Sequence, residues 1–407
     1  MAAKNSNLHN AKRAKQDEFY TQWIDIEREM NAYLEYDPDV FRGKTVLLPC
    51  DDPGWSNFTK YFAERFEYLG LKKLISTSYA PKANMEGAFY EPEQAVIQAA
   101  QYDPELDYER GKIFVLDDAD VNADGRIDMS DFRWEYLEGD GDFRSEEVTR
   151  LRDEADMVIT NPPFSLFREF VAWLVAGEVE FSIIGSMNAV TYKEVFPLIK
   201  NNKLWYGPTI HSGDREFRVP DAYPLQAAGF RTDEQGRNYI RVKGVRWFTN
   251  IEHGRRHEPL RLMSMKENQK YNKRIINNPN SYKQYDNYDA IEVPVTAGIP
   301  NDYTVEKTVT QDEYNALVAQ GFRMEVLSSN GGGQLNVRIC NPVMGVPISF
   351  LDKYCPEQFE ILNANDHRSN SQIRVKPHGL VKDKEGAIGG KPVYVRILIR
   401  HRMEALV

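Results

Sequence analysis

Short apolar runs alternate with amphipathic segments through the first half of the chain. Runs of four to six apolar or β-branched residues are typical of strands buried in a sheet, whereas apolar residues spaced three and four apart are typical of helices. Because the two patterns alternate from residue 45 to residue 206, they predict one doubly wound, mainly parallel sheet of the α/β class. The predicted strands are Thr45–Leu48, Leu74–Ser78, Ile113–Leu116, Met157–Ile159, Val179–Ile184 and, near the sheet's edge, Lys203–Tyr206.

The pattern changes after residue 207, where Asn, Gly, Arg and Tyr are frequent and long irregular links separate short strands. We therefore divide the chain into residues 1–206 and 207–407, and we expect the second region to be of mixed α+β type. Its predicted strands are Tyr239–Val242, Val245–Thr249, Asn336–Ile339 and Val393–Ile399, with a hairpin tip or linker at Ser328–Gln334.

The segment Asp156–Phe164 is the centre of the first region. Its apolar run predicts a buried strand, which Pro162 and Pro163 end because neither can donate a hydrogen bond to a neighbouring strand. Ser165 is expected to cap the helix that follows. Residues 161–164 therefore lie where a strand gives way to a helix, which is the position at which open α/β sheets bind ligands.

These residue types suit the binding of an amino group on a planar heterocycle. The Asn161 amide oxygen and a backbone carbonyl at the bond to Pro162 can accept from one exocyclic amine, and Phe164 offers a flat face for stacking. An amine held in this way directs its lone pair at an electrophile, which suits methyl transfer without a strong base or metal. A base in a duplex must first be rotated out of the stack. Alternatively, the loop is an ordinary turn and Phe164 a core residue.

The turn after the first predicted strand carries two acids and only one glycine, Gly54. Asp51 and Asp52 can accept hydrogen bonds from ribose hydroxyls or from a cofactor's ammonium group. They can equally be helix-start acids that the helix dipole favours.

Composition and length predict a soluble, cytoplasmic protein with real hydrophobic cores. The chain has 407 residues, of which 42% are hydrophobic, and no apolar run is long enough to span a membrane. The three cysteines lack a Cys-x-x-Cys spacing, so neither a disulfide framework nor a zinc site is indicated.

The net charge of −10 is unevenly distributed. Residues 1–199 carry 21 Lys and Arg against 38 Asp and Glu, whereas residues 200–407 carry 30 against 23. A basic second half that interleaves cations with aromatic rings and amides suits nucleic-acid phosphates and bases, although a long exposed insertion has the same composition. The candidate DNA-binding residues are Lys12, Arg13, Arg255, Arg256, Lys273, Arg274, Tyr285 and Asn287.

An acidic loop at residues 120–131 matches the calcium-loop template. Gly125 stands at the sharp turn, and only the last position departs from the template, with Asp131 in place of Glu. We expect a structural Ca²⁺ within an inserted unit, residues 118–137, that ends in a helix over 132–137; the alternative is a plain acidic surface loop. The candidate ligands are Asp120, Asn122, Asp124, Arg126 through its carbonyl, Asp128 and Asp131.

Taken together, these residues resemble the EcoRI-type adenine-specific DNA methyltransferases. The matching pieces occur in the same order as in that family: Asp17–Gln22, Cys50–Pro53 with Ser56–Phe58, Gly139–Ser145, Thr160–Phe164, Thr191–Phe196, Tyr285–Ile291, Met344–Ile348 and Arg396–Ile399. The resemblance implies a class I methyltransferase fold, S-adenosylmethionine as cofactor, no catalytic metal, and duplex DNA whose flipped-out adenine is methylated on N6. It also implies that residues 207–407 recognise the target sequence.

The resemblance assigns roles residue by residue. It implies that Asn161, Pro162 and Phe164, with Pro163 in the same loop, hold the adenine. The residues implied to bind the cofactor are Phe19, Tyr20 and Thr21 at the methionine part, Asp51, Asp52, Pro53 and Asn57 in the first turn, Asp142 and Phe143 near the cofactor's adenine, and Asn161. The calcium-like loop and much of residues 301–340 stand outside the matching pieces.

The expected function is thus sequence-specific DNA adenine methylation by a monomer, for restriction-modification or DNA protection in a prokaryotic or phage-infected cell. A cognate restriction endonuclease acting on the same site is a candidate partner. Two alternatives remain open from the residues: an RNA or protein amide methyltransferase with the same loop, or a non-catalytic DNA-binding protein that has kept the fold.

Overall fold

The structure is a computed structural model whose described residues form two compact units. The first unit comprises residues up to Val195 together with Lys203–Gly254, and the second comprises Phe196–Asn202 together with residues from Arg255 onwards. The described residues are 20–49, 51–54, 56–80, 101–211, 214–219, 229–260, 270–271, 291–292, 303–319, 323–330, 332–341, 344–362, 372–373, 387–388, 391–392 and 396–402.

Helices and strands alternate up to residue 206, and strands predominate afterwards. In chain order the elements are α1 (Trp23–Tyr36), β1 (Thr45–Leu48), α2 (Asn57–Glu64), α3 (Phe66–Leu69), β2 (Lys73–Ser78), α4 (Pro104–Glu109), β3 (Lys112–Leu116), β4 (Arg133–Tyr136), α5 (Glu146–Glu154), β5 (Met157–Thr160), α6 (Phe167–Ala176), β6 (Glu180–Ser186), α7 (Phe196–Lys200), β7 (Trp205–Tyr206), β8 (Asp214–Val219), β9 (Arg231–Thr232), β10 (Asn238–Lys243), β11 (Val245–Thr249), β12 (Ile291–Glu292), β13 (Tyr303–Thr310), α8 (Gln311–Ala319), β14 (Arg323–Asn330), β15 (Gln334–Asn341), β16 (Met344–Pro347), β17 (Phe359–Ile361), β18 (Gln372–Ile373), β19 (Ala387–Ile388), β20 (Lys391–Pro392) and β21 (Arg396–His401).

An eight-stranded sheet with the order β4-β3-β2-β1-β5-β6-β11-β7 is the framework of the first unit. Its four central strands, β2, β1, β5 and β6, are mutually parallel. Antiparallel strands flank them on both sides. The predicted α/β class is therefore confirmed, and the strand expected near residue 206 lies at the sheet's edge.

The helix expected over residues 132–137 is wrong, because this segment contains β4. Charged Arg133 and Glu135 are exposed while Trp134 and Tyr136 are half-buried, which is the period of two that a strand produces. The backbone pairs with β3 in antiparallel register. Trp134 and Tyr136 also contact each other edge to face, with ring centroids 5.2 Å apart.

The hydrophobic core of the first unit joins the helices to one face of the sheet. Ile26, Met30 and Tyr33 recur at spacings of four and three along α1, so one stripe of that helix is fully buried. Trp23 packs edge to face on Tyr61 of α2, with ring centroids 5.4 Å apart. Burial of each such large side chain stabilises the fold by roughly 1.5–3 kcal/mol.

A small antiparallel sheet with the order β8-β10-β9 extends the first unit. Phe217 and Val219 of β8 and Ile240 of β10 are buried in the same core. Strand β11, which follows β10, returns to the large sheet, so the first compact unit continues to residue 254 rather than ending at 206. The functional division of the chain at residue 206 stays a prediction.

The second unit consists mainly of antiparallel strands. One sheet has the order β12-β16-β21-β17, with β18 also paired to β21, and another has the order β13-β15-β14 with α8 packed against it through a small apolar cluster. The predicted hairpin tip, Ser328–Gln334, includes the end of β14 and the start of β15, which pair in antiparallel register. Of the predicted strand Val393–Ile399, the part from residue 396 is β21, and residues 393–395 lie outside the described ones. None of the helices that the structure describes is both long and apolar enough to cross a membrane.

A buried glutamate joins three parts of the first unit. Glu29 on α1 is fully buried and accepts hydrogen bonds from the Tyr33 hydroxyl (2.9 Å) and from the backbone N–H and hydroxyl of Thr209. The Tyr33 hydroxyl also bonds to the Ser182 hydroxyl of β6 at 3.1 Å. Burial raises the pKa of Glu29 to about 8, although the hydrogen bonds from Thr209 and Tyr33 act in the opposite direction.

The raised pKa of Glu29 predicts a stability that falls as the pH rises. Between pH 4.5, near the ordinary pKa of a glutamate, and about 8, the folded protein retains a proton on Glu29 that the unfolded chain has lost. In that window this group removes up to about 1.4 kcal/mol per pH unit from the free energy of unfolding. We expect Glu29→Gln to remove this dependence, because an amide does not ionise in this range. The amide can still accept a hydrogen bond from Thr209 and donate one to Tyr33, so the fold should be kept. Chemical denaturation from pH 5 to pH 8 measures it.

Glu35→Gln, an exposed position on the same helix, is the matched control and should follow the wild-type curve. Parallel pH profiles for wild type and Glu29→Gln would show that Glu29 ionises at the same pH in both states.

Candidate active site

The carboxyl ends of the four parallel strands meet at one edge of the large sheet. Leu48 at the end of β1 is paired with Ser76 of β2, and Thr160 at the end of β5 is paired with Ile183 of β6. Asn161 follows β5 directly, so its side chain begins at this edge. This is where parallel α/β sheets place their ligands.

The segment after β5 is rigid because of its composition. Pro162 is buried, while Asn161, Pro163 and Phe164 are half-buried. The Pro163 carbonyl accepts a hydrogen bond from the Leu166 N–H at 2.9 Å, which closes a 3₁₀ turn over Phe164–Leu166. Helix α6 begins only at Phe167, so the expected capping role of Ser165 is wrong: Leu166 occupies the N-cap position. Phe164 packs partly against the core of the first unit.

The Asp51 carboxylate links the turn after β1 to the end of β5. Its side chain is 4% exposed. One oxygen accepts a hydrogen bond from the Thr160 hydroxyl at 2.6 Å, and the other accepts from the Ser56 hydroxyl at 2.7 Å. The Thr160 hydroxyl also lies 3.0 Å from the Pro49 carbonyl. Because Thr160 precedes Asn161, this link fixes where the Asn161 loop leaves the sheet.

The backbone of Asp51 is held as firmly as its side chain. Its carbonyl accepts hydrogen bonds from the hydroxyls of Thr59 on α2 and of Ser76 on β2. Burial raises the pKa of the Asp51 carboxyl to about 7, while the hydrogen bonds from Thr160 and Ser56 lower it. Sequence reasoning missed the hydroxyl groups that hold Asp51; their signal is the occurrence of Ser or Thr at the ends of elements that meet at one sheet edge.

Two predicted cofactor residues, Thr21 and Asn57, are brought together at this edge. The Asn57 side-chain amide donates to the Thr21 carbonyl at 2.7 Å. Thr21 is buried, and its hydroxyl has no hydrogen-bond partner among the residues that the structure describes. Tyr20 is half-buried and exchanges two backbone hydrogen bonds with Arg218 of β8. The segment before α1 is thereby held against the turn that starts α2.

Asp52 and Pro53 complete the turn after β1, and both are buried. The Asp52 carboxylate accepts from the Gly54 N–H at 2.8 Å, and its carbonyl accepts from the Ser56 N–H at 2.9 Å. These bonds give the turn its shape. The Ser56 hydroxyl in turn caps α2 by accepting from the Phe58 N–H at 3.1 Å.

Asp142 and Phe143 follow a loop that packs on the end of β2. The Ala80 N–H donates to the Asp140 carbonyl at 2.8 Å, and a Cβ on Gly141 would lie 2.3 Å from the Ser78 carbonyl oxygen, so only glycine fits there. The Asp142 carboxylate forms an ion pair with Arg144 at 2.6 Å. The loop therefore lies beside the carboxyl end of β2.

The ring of Phe143, in contrast, points into the core. It is fully buried, with centroids 4.9 Å from the ring of Phe170 and 5.6 Å from that of Trp173, both on α6. The buried Phe143 ring therefore cannot contact a cofactor in this conformation, whereas the part of the loop at Asp142 can. The binding roles of both residues stay predictions.

The calcium expectation is not supported. In the described part of the chain, no group of three or more His, Cys, Asp or Glu side chains is arranged to hold a metal ion. The loop's side-chain oxygens accept instead from its own backbone: the Gly125 N–H donates to Asp120 at 2.8 Å, and the Val121 N–H donates to Asp131 at 2.8 Å. The candidate ligands Asp120, Asn122, Asp124, Arg126, Asp128 and Asp131 thus have no support as a calcium site; the side-chain oxygens of Asp120, Asn122, Asp124, Asp128 and Asp131 accept hydrogen bonds from the loop's own backbone.

Of the candidate DNA-binding residues, the described ones are Arg255 and Arg256, in the 3₁₀ turn that Gly254 begins. Arg255 is exposed, but Arg256 is 5% exposed and donates a hydrogen bond to Asn202. Burial and this bond hold Arg256 within the second unit, and its assignment to DNA stays a prediction. The candidates outside the described residues are Lys12, Arg13, Lys273, Arg274, Tyr285, Asn287 and, for the cofactor, Phe19.

Comparison with known proteins identifies relatives along nearly the whole chain. A family model described as adenine-specific methyltransferase EcoRI matches residues 7–320 and 340–402. The Type II methyltransferase M.EcoRI of Escherichia coli is 39% identical over 400 residues, covering 98% of this chain and 98% of that protein. Two mycoplasma proteins are also similar. M.MpnI of Mycoplasma pneumoniae is 30% identical over 98% of this chain and 99% of its own length, and M.MgeORF184P of Mycoplasma genitalium is 29% identical over 97% and 98%. No solved structure matches the chain.

The hydrogen bond from Thr160 to Asp51 leads us to expect a catalytic defect in Thr160→Val. The change keeps the side chain's shape but removes the hydroxyl that bonds to Asp51, so we expect a loss of about 1–2 kcal/mol in the free energy of unfolding. Because Asn161 is the next residue, kcat should also fall at least about tenfold. Denaturation and single-turnover assays measure the two effects.

Thr249→Val is the matched control, because Thr249 is buried in β11 and donates to the Phe181 carbonyl at 2.7 Å, away from the loop. It should lose comparable stability and keep its kcat. Equal kcat values for the two variants would contradict the positioning role.

Proposed function

The chain belongs to the family of EcoRI-type adenine-specific DNA methyltransferases, and we propose that Asn161, Pro162 and Phe164 are the residues with which it binds the target adenine. The protein is thus a Type II methyltransferase that uses S-adenosylmethionine and takes duplex DNA as substrate. The observation that supports the proposed site is the position of Asn161. It follows β5 at the carboxyl edge of the parallel strands, behind a threonine that the Asp51 link holds in place.

In this proposal the Asn161 side-chain oxygen and a backbone carbonyl at the Asn161–Pro162 bond accept hydrogen bonds from the adenine N6 amine. Both hydrogens of the amine are then used, so its lone pair points away from the two acceptors. Pro162 and Pro163 keep the acceptors from rotating, and the half-buried ring of Phe164 stacks on the base. This geometry requires an adenine that has left the duplex, so the proposal includes base flipping.

The residues present fit the cofactor. Bound S-adenosylmethionine supplies a methyl group on a sulfonium, which an aligned amine lone pair can displace directly. We assign its binding to the convergence of the Thr21 segment with the turn at Asp51–Asn57 and the loop at Asp142. The buried Thr21 hydroxyl has no hydrogen-bond partner among the described residues, so it is available to bond to a polar group of the cofactor. The Asp52 carboxylate has one oxygen on the Gly54 N–H, and its charge suits an ammonium group.

The proton that N6 loses needs no strong base in this scheme. After methyl transfer the amine carries a positive charge and becomes acidic, so its proton can pass to the acceptors already bonded to it and then to water. Asn161 therefore acts by orienting the amine and by stabilising its developing charge. The expected cost of losing one such preorganised group is on the order of hundredfold or more in rate.

The second compact unit is assigned to target recognition. Its most distinctive part is the hairpin of β14 and β15, because the family model leaves residues 321–339 unmatched. A difference from the family model at this place favours a target sequence of this chain's own. We further propose that the enzyme acts as a monomer, and that it protects DNA from a separate endonuclease with the same target, as part of a restriction-modification system.

The substrate is tested by methylation assays with duplex DNA, RNA and protein acceptors in parallel. Methylation of duplex adenine alone supports the proposal, and sequencing of methylated genomic DNA from an expressing host then gives the recognised sequence. Modification of RNA or of protein amides would instead indicate an RNA methyltransferase or a protein amide methyltransferase. A protein that binds DNA but not S-adenosylmethionine at millimolar concentration would be a non-catalytic DNA binder.

Asn161→Ala should lower kcat by at least about a hundredfold, because it removes an acceptor of the reacting amine. The affinity for S-adenosylmethionine, measured by calorimetry, should change little. Asn161→Asp keeps an oxygen acceptor and should retain more activity than the alanine variant.

Asn31→Ala, at an exposed position on α1, is the control and should behave as wild type. Turnover near the wild-type rate in Asn161→Ala would refute the assignment.

A further inference from the structure

Arg168 and Tyr192 form a stacked pair next to the catalytic loop. The Arg168 guanidinium carbon lies 4.0 Å from the centroid of the Tyr192 ring. Arg168 is the second residue of α6, four residues after Phe164, and Tyr192 follows the 3₁₀ turn Met187–Thr191 that leaves β6. Because β5 and β6 are adjacent and parallel, both residues lie at the same sheet edge as Asn161.

The charges around this pair leave Arg168 as a net cation. Arg168 is exposed, and no described residue forms an ion pair with it. Its neighbour Glu169 is instead bound by Arg144 at 2.8 Å. Lys193, beside Tyr192, has a side chain that is 83% exposed and lies 3.6 Å from Glu194. The neighbouring cations Arg144 and Lys193 are thus each paired with a carboxylate, whereas Arg168 has none among the described residues.

Stacking determines which part of the guanidinium can bind a ligand. The tyrosine ring occupies one face of the planar group and restricts its rotation, while the N–H groups lie in the plane and point away from the ring. No described residue accepts a hydrogen bond from these N–H groups. A preoriented planar fork of this kind matches the oxygens of a phosphate, which it can bind with two parallel hydrogen bonds.

We propose that Arg168, held by Tyr192, binds a backbone phosphate of the DNA strand that carries the target adenine. The inference rests on the proposed role of Asn161–Phe164 in binding that adenine. A base that leaves the stack turns about its own backbone, so its flanking phosphates must be held for the base to reach a fixed site. Arg168 binds such a phosphate from α6, the helix that follows the loop. Its role is to position the DNA and not to contact the amine.

Arg168→Gln tests the proposal with the full-length enzyme and a duplex that contains the recognised site. Loss of the charge-assisted hydrogen bonds should raise KM for DNA about ten- to a hundredfold. The kcat at saturating DNA should stay within about twofold of wild type, and the affinity for S-adenosylmethionine should not change. The slope of log KM against log salt concentration should decrease by about one, because one fewer phosphate is neutralised.

Three further variants separate the effects of the Arg168 charge, of its planar set of N–H donors and of the Tyr192 ring. Arg168→Lys keeps the charge without the fork, so we expect an intermediate KM and a wild-type salt slope. Tyr192→Phe keeps the stacking face and should resemble wild type, whereas Tyr192→Ala should raise KM. Arg150→Gln is the matched control, because Arg150 is exposed on α5 and contacts Glu146 at 3.5 Å; it should leave KM and the salt slope unchanged.

Two outcomes would overturn the proposal. An unchanged KM and salt slope in Arg168→Gln would show that the guanidinium does not bind DNA. A lower kcat or lower stability with an unchanged slope would show that the pair only ties α6 to the loop after β6. Both outcomes leave the proposed function intact, because that function fails only if the wild-type enzyme does not methylate duplex DNA.

Discussion

The buried carboxylate of Asp51 is the interaction on which the site depends. A carboxylate that is 4% exposed is poorly solvated, so the fold must supply its hydrogen bonds. Thr160 and Ser56 do so from two different elements, one at the end of β5 and one at the start of α2. Neither element can move without breaking a bond to a group that water does not reach. The loop that we propose to bind the target adenine begins at Asn161, directly after Thr160, and Pro162 and Pro163 restrict its backbone further.

The arrangement of strands explains why other segments meet at the same place. Parallel pairing aligns the carboxyl ends of β1, β2, β5 and β6, while antiparallel strands close the sheet on both sides. The small sheet fixes a further segment at this edge, because Arg218 of β8 forms two backbone hydrogen bonds with Tyr20. Thr21 is thereby brought to Asn57, although 36 residues separate them along the chain. In the proposed mechanism a methyl donor and a base meet at this edge, and the loops that converge there come from different parts of the chain.

Much of the fold could be predicted from sequence, because buried strands require apolar runs and those runs are short and well separated. The loop at Asn161 was also predictable, since prolines end a strand in a recognisable way and the surrounding pieces resemble a known family. The prediction of a helix over residues 132–137 is wrong because Trp134 and Tyr136 alternate with charged Arg133 and Glu135, which is the period of a strand. In strand β4 that alternation places Trp134 and Tyr136 on one face.

Side-chain direction could not be read from sequence. Phe143 lies in a motif of the family, yet its ring faces α6, and Arg256 lies in a basic run, yet it is buried against Asn202. The acidic loop has the composition of a calcium site, but short acids also accept hydrogen bonds from their own backbone, and the spacing is the same in both cases. Conversely, the sequence signal of Thr160 and Ser56 is only that each stands at the end of an element, and this does not reveal that both contact Asp51.

The most direct measurement is a crystal structure of the enzyme with duplex DNA and S-adenosylhomocysteine. We expect a flipped adenine whose N6 lies about 3 Å from the Asn161 side-chain oxygen. We also expect Thr160 to remain bonded to Asp51. An adenine that stays stacked in the duplex, or one bound in the site with its N6 facing other residues and Asn161 turned away, would contradict the proposed site.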